Sequence, residues 1–533
     1  MDISFSTVPD KELIPGLYIE TAADNPALPN QNTLIIGQTK TGQPNLPVFI
    51  SSAKTAVKQF GSRSQLASMV QSYLAADLTN VGVWVLPYAD AGGSTAATGS
   101  ISITGTATAA GTLFFYVGGR YIPVAVASGD TGATVATNVA AAFQAYVDSS
   151  DTRIAALKRQ KDKHRHHRFF VGCQLPLTAA INGSTATQVD LTASNKGTAG
   201  NGIDVQLNYL GSTGQEVTPP GLTVAITQLS GGAVDPDISG LDAILVNTPY
   251  DFIVIPWNTT TQLNSMQTFL STRWAANRDL WGGCFAARRS SGSNGNDAST
   301  FGLTRNDPHT LVVHYEPGMP PPEWDVAAVF AGAFAQSSRS DPGMPTHNLA
   351  LPVLLGPHRD KHFADNTRAQ LLGNGCALMK YEADHSCRIL RAVTTSQFDE
   401  NGAPDQSYLD METNYLLMAV NRTLRGDYLA AFPRAKLADD GTTFGPGSQF
   451  TVSGLPRQPI ATPKSIKATF VASYQRMEKN KGWVTDSDYF AQNVIVQRRS
   501  TDPSRIDVIY PVTLIGGLRV TAVMNLFQLQ AAQ

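Results

Sequence analysis

From Leu241 to Arg339, short apolar runs alternate with segments whose apolar residues recur at helical spacing. Tyr250–Trp257 (YDFIVIPW) is compact and rich in β-branched and aromatic residues, which suits a buried strand. Gln262–Ala276 carries Leu263, Met266, Phe269, Leu270 and Trp274 as the stripe of an amphipathic helix. Gly282–Ala287 and Thr310–Tyr315 predict two more strands, and Glu323–Ser337, entered through Pro320-Pro321-Pro322, predicts a second helix. Strand and helix in alternation imply a sheet covered by helices.

The flanks extend this layer. Thr33–Gly37 and Val81–Leu86 predict strands, with helices over Ser52–Phe60 and Ser64–Ala76 between them. From Ala91 to about Pro236 the chain turns rich in Ala, Thr, Gly and Ser, which marks an insertion. Within it Ser100–Thr104, Thr112–Val117 and Arg120–Val126 read as a meander turned at Gly118-Gly119, followed by a helix capped by Asp130 or Thr131. Four further strands are expected over 177–229. Downstream, Ala350–Leu355 reads as a strand, Phe363–Leu372 as a helix, and Cys376–Tyr381 with Arg388–Thr394 as a hairpin. Ser407–Phe432 is the longest helical pattern, and Thr462-Pro463 opens another helix that stops at Gly482. Asn493–Arg498, Arg505–Leu514 and Leu518–Leu529 predict terminal strands. The fold class is therefore α/β (α+β) and multidomain: a central sheet flanked by helices, an inserted β-rich α+β domain, and extended strand arms at both ends.

Composition narrows the function. The 533 residues are 42% hydrophobic and 15% charged with a net charge of −2, so real cores are expected and nothing global suggests nucleic acid. The start of the chain lacks a basic and apolar leader pattern, and no apolar run approaches the ~20 residues of a membrane helix. Four cysteines (Cys173, Cys284, Cys376, Cys387) make no disulfide framework, which fits synthesis in a cytoplasm.

Candidate chemistry is sparse. GxxxxGK[ST], HExxH, paired CxxC and GxSxG are all missing from the sequence. Cys376, His385 and Cys387 lack zinc-site spacing, so no metal and no cofactor is expected there. Asp325, at a helix start, suits the positive helix end better than proton abstraction. His309 and His314 flank one strand without converging. The basic run Lys158–Arg168 (KRQKDKHRHHR) has three readings: a metal site through His164, His166 and His167, contact with nucleic acid or an acidic neighbour, or a solvated loop. The solvated loop is preferred, because a self-repelling charge run supplies no fixed ligand geometry.

Several stretches, spread over nearly the full length, resemble the contractile tail sheath proteins of Mu-like bacteriophages. They are Ile3–Tyr18, Phe60–Val70, Gly105–Gly119, Gly197–Val205, Gly231–Asp237, Trp324–Gly332, Arg391–Thr395 and Phe432–Lys436. The basic run Lys158–Arg168 departs from the family pattern. The resemblance implies a structural subunit without an active site, stacked as six-fold rings in a helical sheath around a tail tube. Other sheath subunits, the tube protein, and baseplate and terminator proteins would be its partners, with no direct nucleic-acid contact and no membrane insertion. It would be made in the host cytoplasm and reside in the virion tail. The implied divisions are an arm over 1–23, a core over 24–90 and 237–503, an outer insertion over 91–236 and an arm over 504–533. Terminal arms would add strands to neighbours, through Leu13, Ile14, Leu17 and Ile19 at one end. At the other end the residues are Leu518, Val520, Ala522, Met524, Leu526 and Leu529. Two rivals stand beside this: a tube or baseplate component, and a cytoplasmic α/β enzyme using Asp325, His309 or Cys284.

Overall fold

A computed structural model describes residues 31–79, 81–148, 172–441 and 460–519, with isolated positions (451–452, 455–456, 521 and 524) beyond them. The expected linking residues Leu13, Ile14, Leu17, Ile19, Val520, Ala522, Leu526 and Leu529, and the run Lys158–Arg168, lie outside the described residues.

The first elements are β1 (Thr33–Gln38), β2 (Val48–Ile50), α1 (Ala53–Phe60), α2 (Gln65–Ala76) and β3 (Val83–Tyr88). The insertion holds β4 (Thr98–Gly105), β5 (Gly111–Val117), β6 (Arg120–Val126), α3 (Gly132–Ala145), β7 (Leu177–Ile181), β8 (Gln188–Ala193), β9 (Val205–Leu207) and β10 (Leu222–Ser230). The chain then runs through α4 (Leu241–Leu245), β11 (Phe252–Val254), α5 (Thr260–Trp274), β12 (Gly283–Arg289), α6 (Asn296–Leu303), β13 (Thr310–Tyr315) and α7 (Glu323–Ser340). It continues with β14 (Ala350–Leu355), α8 (Asp365–Gly373), β15 (Ala377–Tyr381), β16 (Ser386–Arg391) and α9 (Met411–Ala431). Last come α10 (Pro463–Lys481), α11 (Ser487–Asn493), β17 (Ile495–Arg498) and β18 (Ile506–Ile509).

Nine strands form the main sheet in the order β14-β16-β15-β13-β12-β11-β1-β3-β2. The run from β15 to β3 is parallel, and antiparallel strands close both edges. Every residue of β1, β11 and β13 is buried, because helices cover both faces. Strand alternation sorts the side chains. Ile35, Phe252, Val254, Phe285, Leu311 and Val313 face α2, α7 and α9, within one large apolar cluster. Leu34, Ile36, Ile253, Cys284, Ala286 and Val312 face α4 and α5 through Leu241, Leu263, Met266 and Leu270.

Helix α2 is buried along its whole length. Its crossing with α7 is close enough that a Cβ on Gly332 would lie 2.7 Å from the Tyr73 carbonyl, so only glycine fits. Helix starts follow local chemistry: Ser64, Thr131, Thr259 and Thr462 each accept a backbone N–H of the first turn through the side-chain oxygen.

The insertion differs from the expected meander. Of the three strands expected to form it, β5 and β6 pair as a hairpin, turned at Gly118 (φ +54°) and Gly119 (φ +77°), which a two-residue loop of this hand requires. Strand β4 pairs instead with β8 and β10, so its partners come from residues 188–230, and local spacing carries no sign of that. The insertion's buried residues, among them Ile101, Phe115, Val139 and Leu191, belong to the same apolar cluster as one face of the main sheet. Four of the elements named above were not anticipated from the sequence: β2, α4, α6 and α11.

At the C-terminal end α9, α10 and α11 enclose a third cluster built on Val420, Ile466, Phe470, Tyr474, Trp483 and Phe490. The segment from residue 504, expected as an arm, packs on its own body as far as Leu514. Ile506–Ile509 pairs with β17, Tyr510, Val512 and Leu514 pack on the third cluster, and Leu514 bridges Val484. The long strand expected over 505–514 is broken after Ile509, and Leu518 and Met524 lie in no strand and are exposed.

Candidate functional site

In open α/β sheets, ligands sit outside the carboxyl ends of the strands where the strand order reverses. Here the chain moves from β1 outward to β3 and then returns to β11 on the other side of β1, which sets that point beside Gln38 and Thr39. The insertion packs against one side of it, leaving a shallow cleft of about 240 Å³ lined by Thr39, Lys40, Thr41 and Asp90. Asn195 Oδ1 accepts the Gln65 N–H at the start of α2 (2.9 Å), and Asn195 Nδ2 donates to Asp90 Oδ1 (3.0 Å). Gln38 Nε2 donates to the Lys196 carbonyl (2.8 Å) and to Asp90 Oδ1 (2.9 Å). The helix N-terminus that would hold an anion in a nucleotide-binding relative is thus occupied by a side chain of the same molecule.

The residues considered for catalysis do not converge. Cys284 is fully buried on the α5 side of the sheet, and burial raises its thiol well above the usual range. His309 stacks on Trp274 with centroids 4.3 Å apart. Asp325 lies across the sheet on the α2 side, where Ser68 Oγ (2.7 Å) and Ser72 Oγ (2.8 Å) donate to its carboxylate. Cys376 sits among Ala298, Phe363, Leu371 and Leu378, and burial pushes its thiol up to about 12. Among the described residues no three His, Cys, Asp or Glu side chains are gathered as metal ligands.

Asp325 takes part in a buried charge network that pattern reading missed. Arg120, wholly buried, places Nη1 3.5 Å from Asp325 and Nε 3.6 Å from Asp148, while Nη2 donates to Ser68 Oγ (2.8 Å). Gln71 Nε2 donates to Asp148 (2.7 Å). Arg120 and Asp148 come from the insertion, whereas Ser68, Gln71 and Asp325 come from α2 and α7. The β5–β6 turn also rests on the proline run: a Cβ on Gly119 would lie 3.1 Å from Pro321. The only sequence sign was an arginine directly after Gly118-Gly119.

Buried histidines make the fold acid-sensitive. Burial, aided by Arg288, pushes His314 down to about 3, with Asp297 opposing. Burial also lowers His309 and His385. A folded-state value below the unfolded ~6.5 means that the unfolded chain takes up protons that the folded chain refuses. Stability is therefore expected to fall as pH drops below ~6.5, with His314 alone approaching ~1.4 kcal/mol per pH unit down to about pH 3. Burial raises Asp251 and Glu316, which oppose this trend toward the acid end. Urea midpoints of unassembled chain at pH 7.5 and 5.5 check it; equal midpoints, or no flattening in His314→Leu, would contradict it.

Both terminal segments are rooted near α9. Arg339 Nε and Nη2 donate to the Gln31 carbonyl (3.3 and 3.2 Å), and the Asn32 N–H donates to Asp251 Oδ2 (3.0 Å). Asp251, buried, pairs with Arg422 of α9, and Tyr415 of α9 donates to its carbonyl (2.6 Å). At the other end Arg519 Nη2 lies 3.4 Å from both Asp410 and Glu412, at the start of α9. The β17–β18 ribbon exposes Ile495 and Ile509, and neither strand has another partner among the described residues.

These features define a helix-covered α/β protein with a docked insertion and two terminal segments rooted on the body. Over 530 residues the chain is 31% identical to the Mu-like prophage FluMu tail sheath protein of Haemophilus influenzae, covering 98% of this chain and 99% of that one. It belongs to the tail sheath proteins of Mu-like phages. No family model matches the chain. Similar solved structures include the sheath tail protein of Desulfitobacterium hafniense (TM-score 0.43, 11% identity, 94% of this chain and 100% of that one). Another is the contracted helical sheath of the anti-feeding prophage (TM-score 0.44, 10% identity, 98% and 100%).

Proposed function

We propose that this chain is the repeating, non-enzymatic subunit of a contractile tail sheath. Copies stack as six-fold rings around a tail tube and shorten to drive the tube through the host envelope. The full-length relationship to a tail sheath protein carries this reading. A helix start already taken by Asn195, and buried, scattered candidate nucleophiles, support it against the enzyme alternative. The partners are other copies, the tube protein, and baseplate and terminator proteins. The protein is made in the host cytoplasm and resides in the virion tail, and it needs no cofactor.

In this reading 1–23 and the residues from about 516 onward are arms that add strands to neighbouring copies, and the uncovered β17–β18 ribbon is their acceptor. The linking residues are Leu13, Ile14, Leu17 and Ile19, with Leu518, Val520, Ala522, Met524, Leu526 and Leu529. Residues 91–236 sit on the outside, and the remaining core moves as a rigid body between two packings. The extended sheath is then a trapped state, and contraction needs no fuel site. Negative-stain electron microscopy of the purified chain, with and without tail tubes, tests the reading. Hollow striated cylinders or decorated tubes are expected; small uniform particles that ignore added tubes would sink it.

A further inference from the structure

We infer that Arg519 is a catch that parks the C-terminal segment on its own subunit, and that assembly must release it. The inference rests on the reading of that segment as a linking arm. Three observations carry it. Packing contributes little to the hold: Ile515 is 41% exposed and Leu518 75% exposed, so the chain leaves the third cluster at Leu514 without apolar cover. The ties are ionic and steric instead. Arg519 reaches Asp410 and Glu412 at 3.4 Å, and Gly517 lies against Pro345 so closely that a Cβ would come within 2.3 Å of its Cγ.

Both carboxylates, moreover, stay satisfied once Arg519 leaves. Asp410 keeps Arg391, at 2.8 and 3.0 Å. Glu412 keeps the Thr346 N–H (2.9 Å) and hydroxyl (2.7 Å) and lies in the first turn of α9, where the helix end favours an anion. Opening the catch therefore leaves Asp410 paired and Glu412 hydrogen-bonded. The N-terminal root is built differently: Asn32 leads directly into β1 in the middle of the sheet, and its N–H is held by Asp251, which is 1% exposed. One root is fixed and the other releasable, with Gly516-Gly517 as the pivot.

The test compares assembly of the full chain by light scattering and electron microscopy. Arg519→Gln is expected to shorten the lag or raise the growth rate several-fold with an unchanged melting temperature. Gly517→Ala, which lifts the segment off Pro345 by different chemistry, should act in the same direction. Raising salt toward 1 M, where the screening length is ~3 Å, should narrow the difference between wild type and Arg519→Gln. Assembly at an equal or lower rate in both variants overturns the catch. A chain lacking 519–533 separates the two ideas: if it still forms tubes, the arm reading itself fails, whatever the variants do.

Discussion

Replacing Arg120 by alanine is expected to cost the folded subunit ~3–5 kcal/mol, the scale for removing one partner of a buried ion pair. The guanidinium stands between Asp148 and Asp325 with no exposure, so its loss takes a buried cation from between two carboxylates. Most of the loss would come from that broken charge balance, because a buried ion pair gains little over well-packed apolar groups. The triple variant Arg120→Met, Asp148→Asn, Asp325→Asn should therefore recover a large part of the stability, since amides can still accept from Ser68 and Gln71. Urea denaturation of the three chains measures this. An Arg120→Ala chain within ~0.5 kcal/mol of wild type, inside the range of an ordinary surface substitution, would mean that the seam is solvated and the insertion docks by apolar contact alone.

Deleting 519–533 is expected to abolish tube formation while leaving a folded subunit. Among the described residues the folded body loses the Arg519 contacts with Asp410 and Glu412, and both carboxylates keep other hydrogen-bond donors. A deletion from 504 should behave differently. It removes β18 with Tyr510, Val512 and Leu514, which cover Phe470 and Trp483, and should lower the melting temperature as well as stop assembly. Circular dichroism and electron microscopy on both truncations distinguish the two effects. Tubes from the shorter deletion would reassign the inter-subunit link elsewhere.

Much of the body was legible because its signals are local. β11, α5, β12, β13 and α7 lie where apolar periodicity placed them, and Gly118-Gly119 and Thr462-Pro463 turn and start elements as their chemistry requires. What escaped was short or non-local. β2 spans only Val48–Ile50, and α6 and α11 lack a clear stripe. Strand β4 was assigned to the wrong neighbour, because pairing across about 90 residues leaves no trace in spacing. The terminal strand was drawn too long: its first half satisfies itself against β17, and alternation alone does not say which partner a strand takes.

The sequence by itself determined the layered α/β core and the lack of catalytic motifs, since these follow from periodicity, composition and short-range spacing. Only the tertiary structure decided how the pieces answer one another. It brought Arg120 to Asp325, Asn195 to Gln65, Arg422 to Asp251 and Arg519 to Glu412, across sequence separations from 107 to 205 residues. Each of these contacts is polar and individually unremarkable in the sequence. Their weight comes from burial, and burial is a property of the packed molecule rather than of any stretch of the chain.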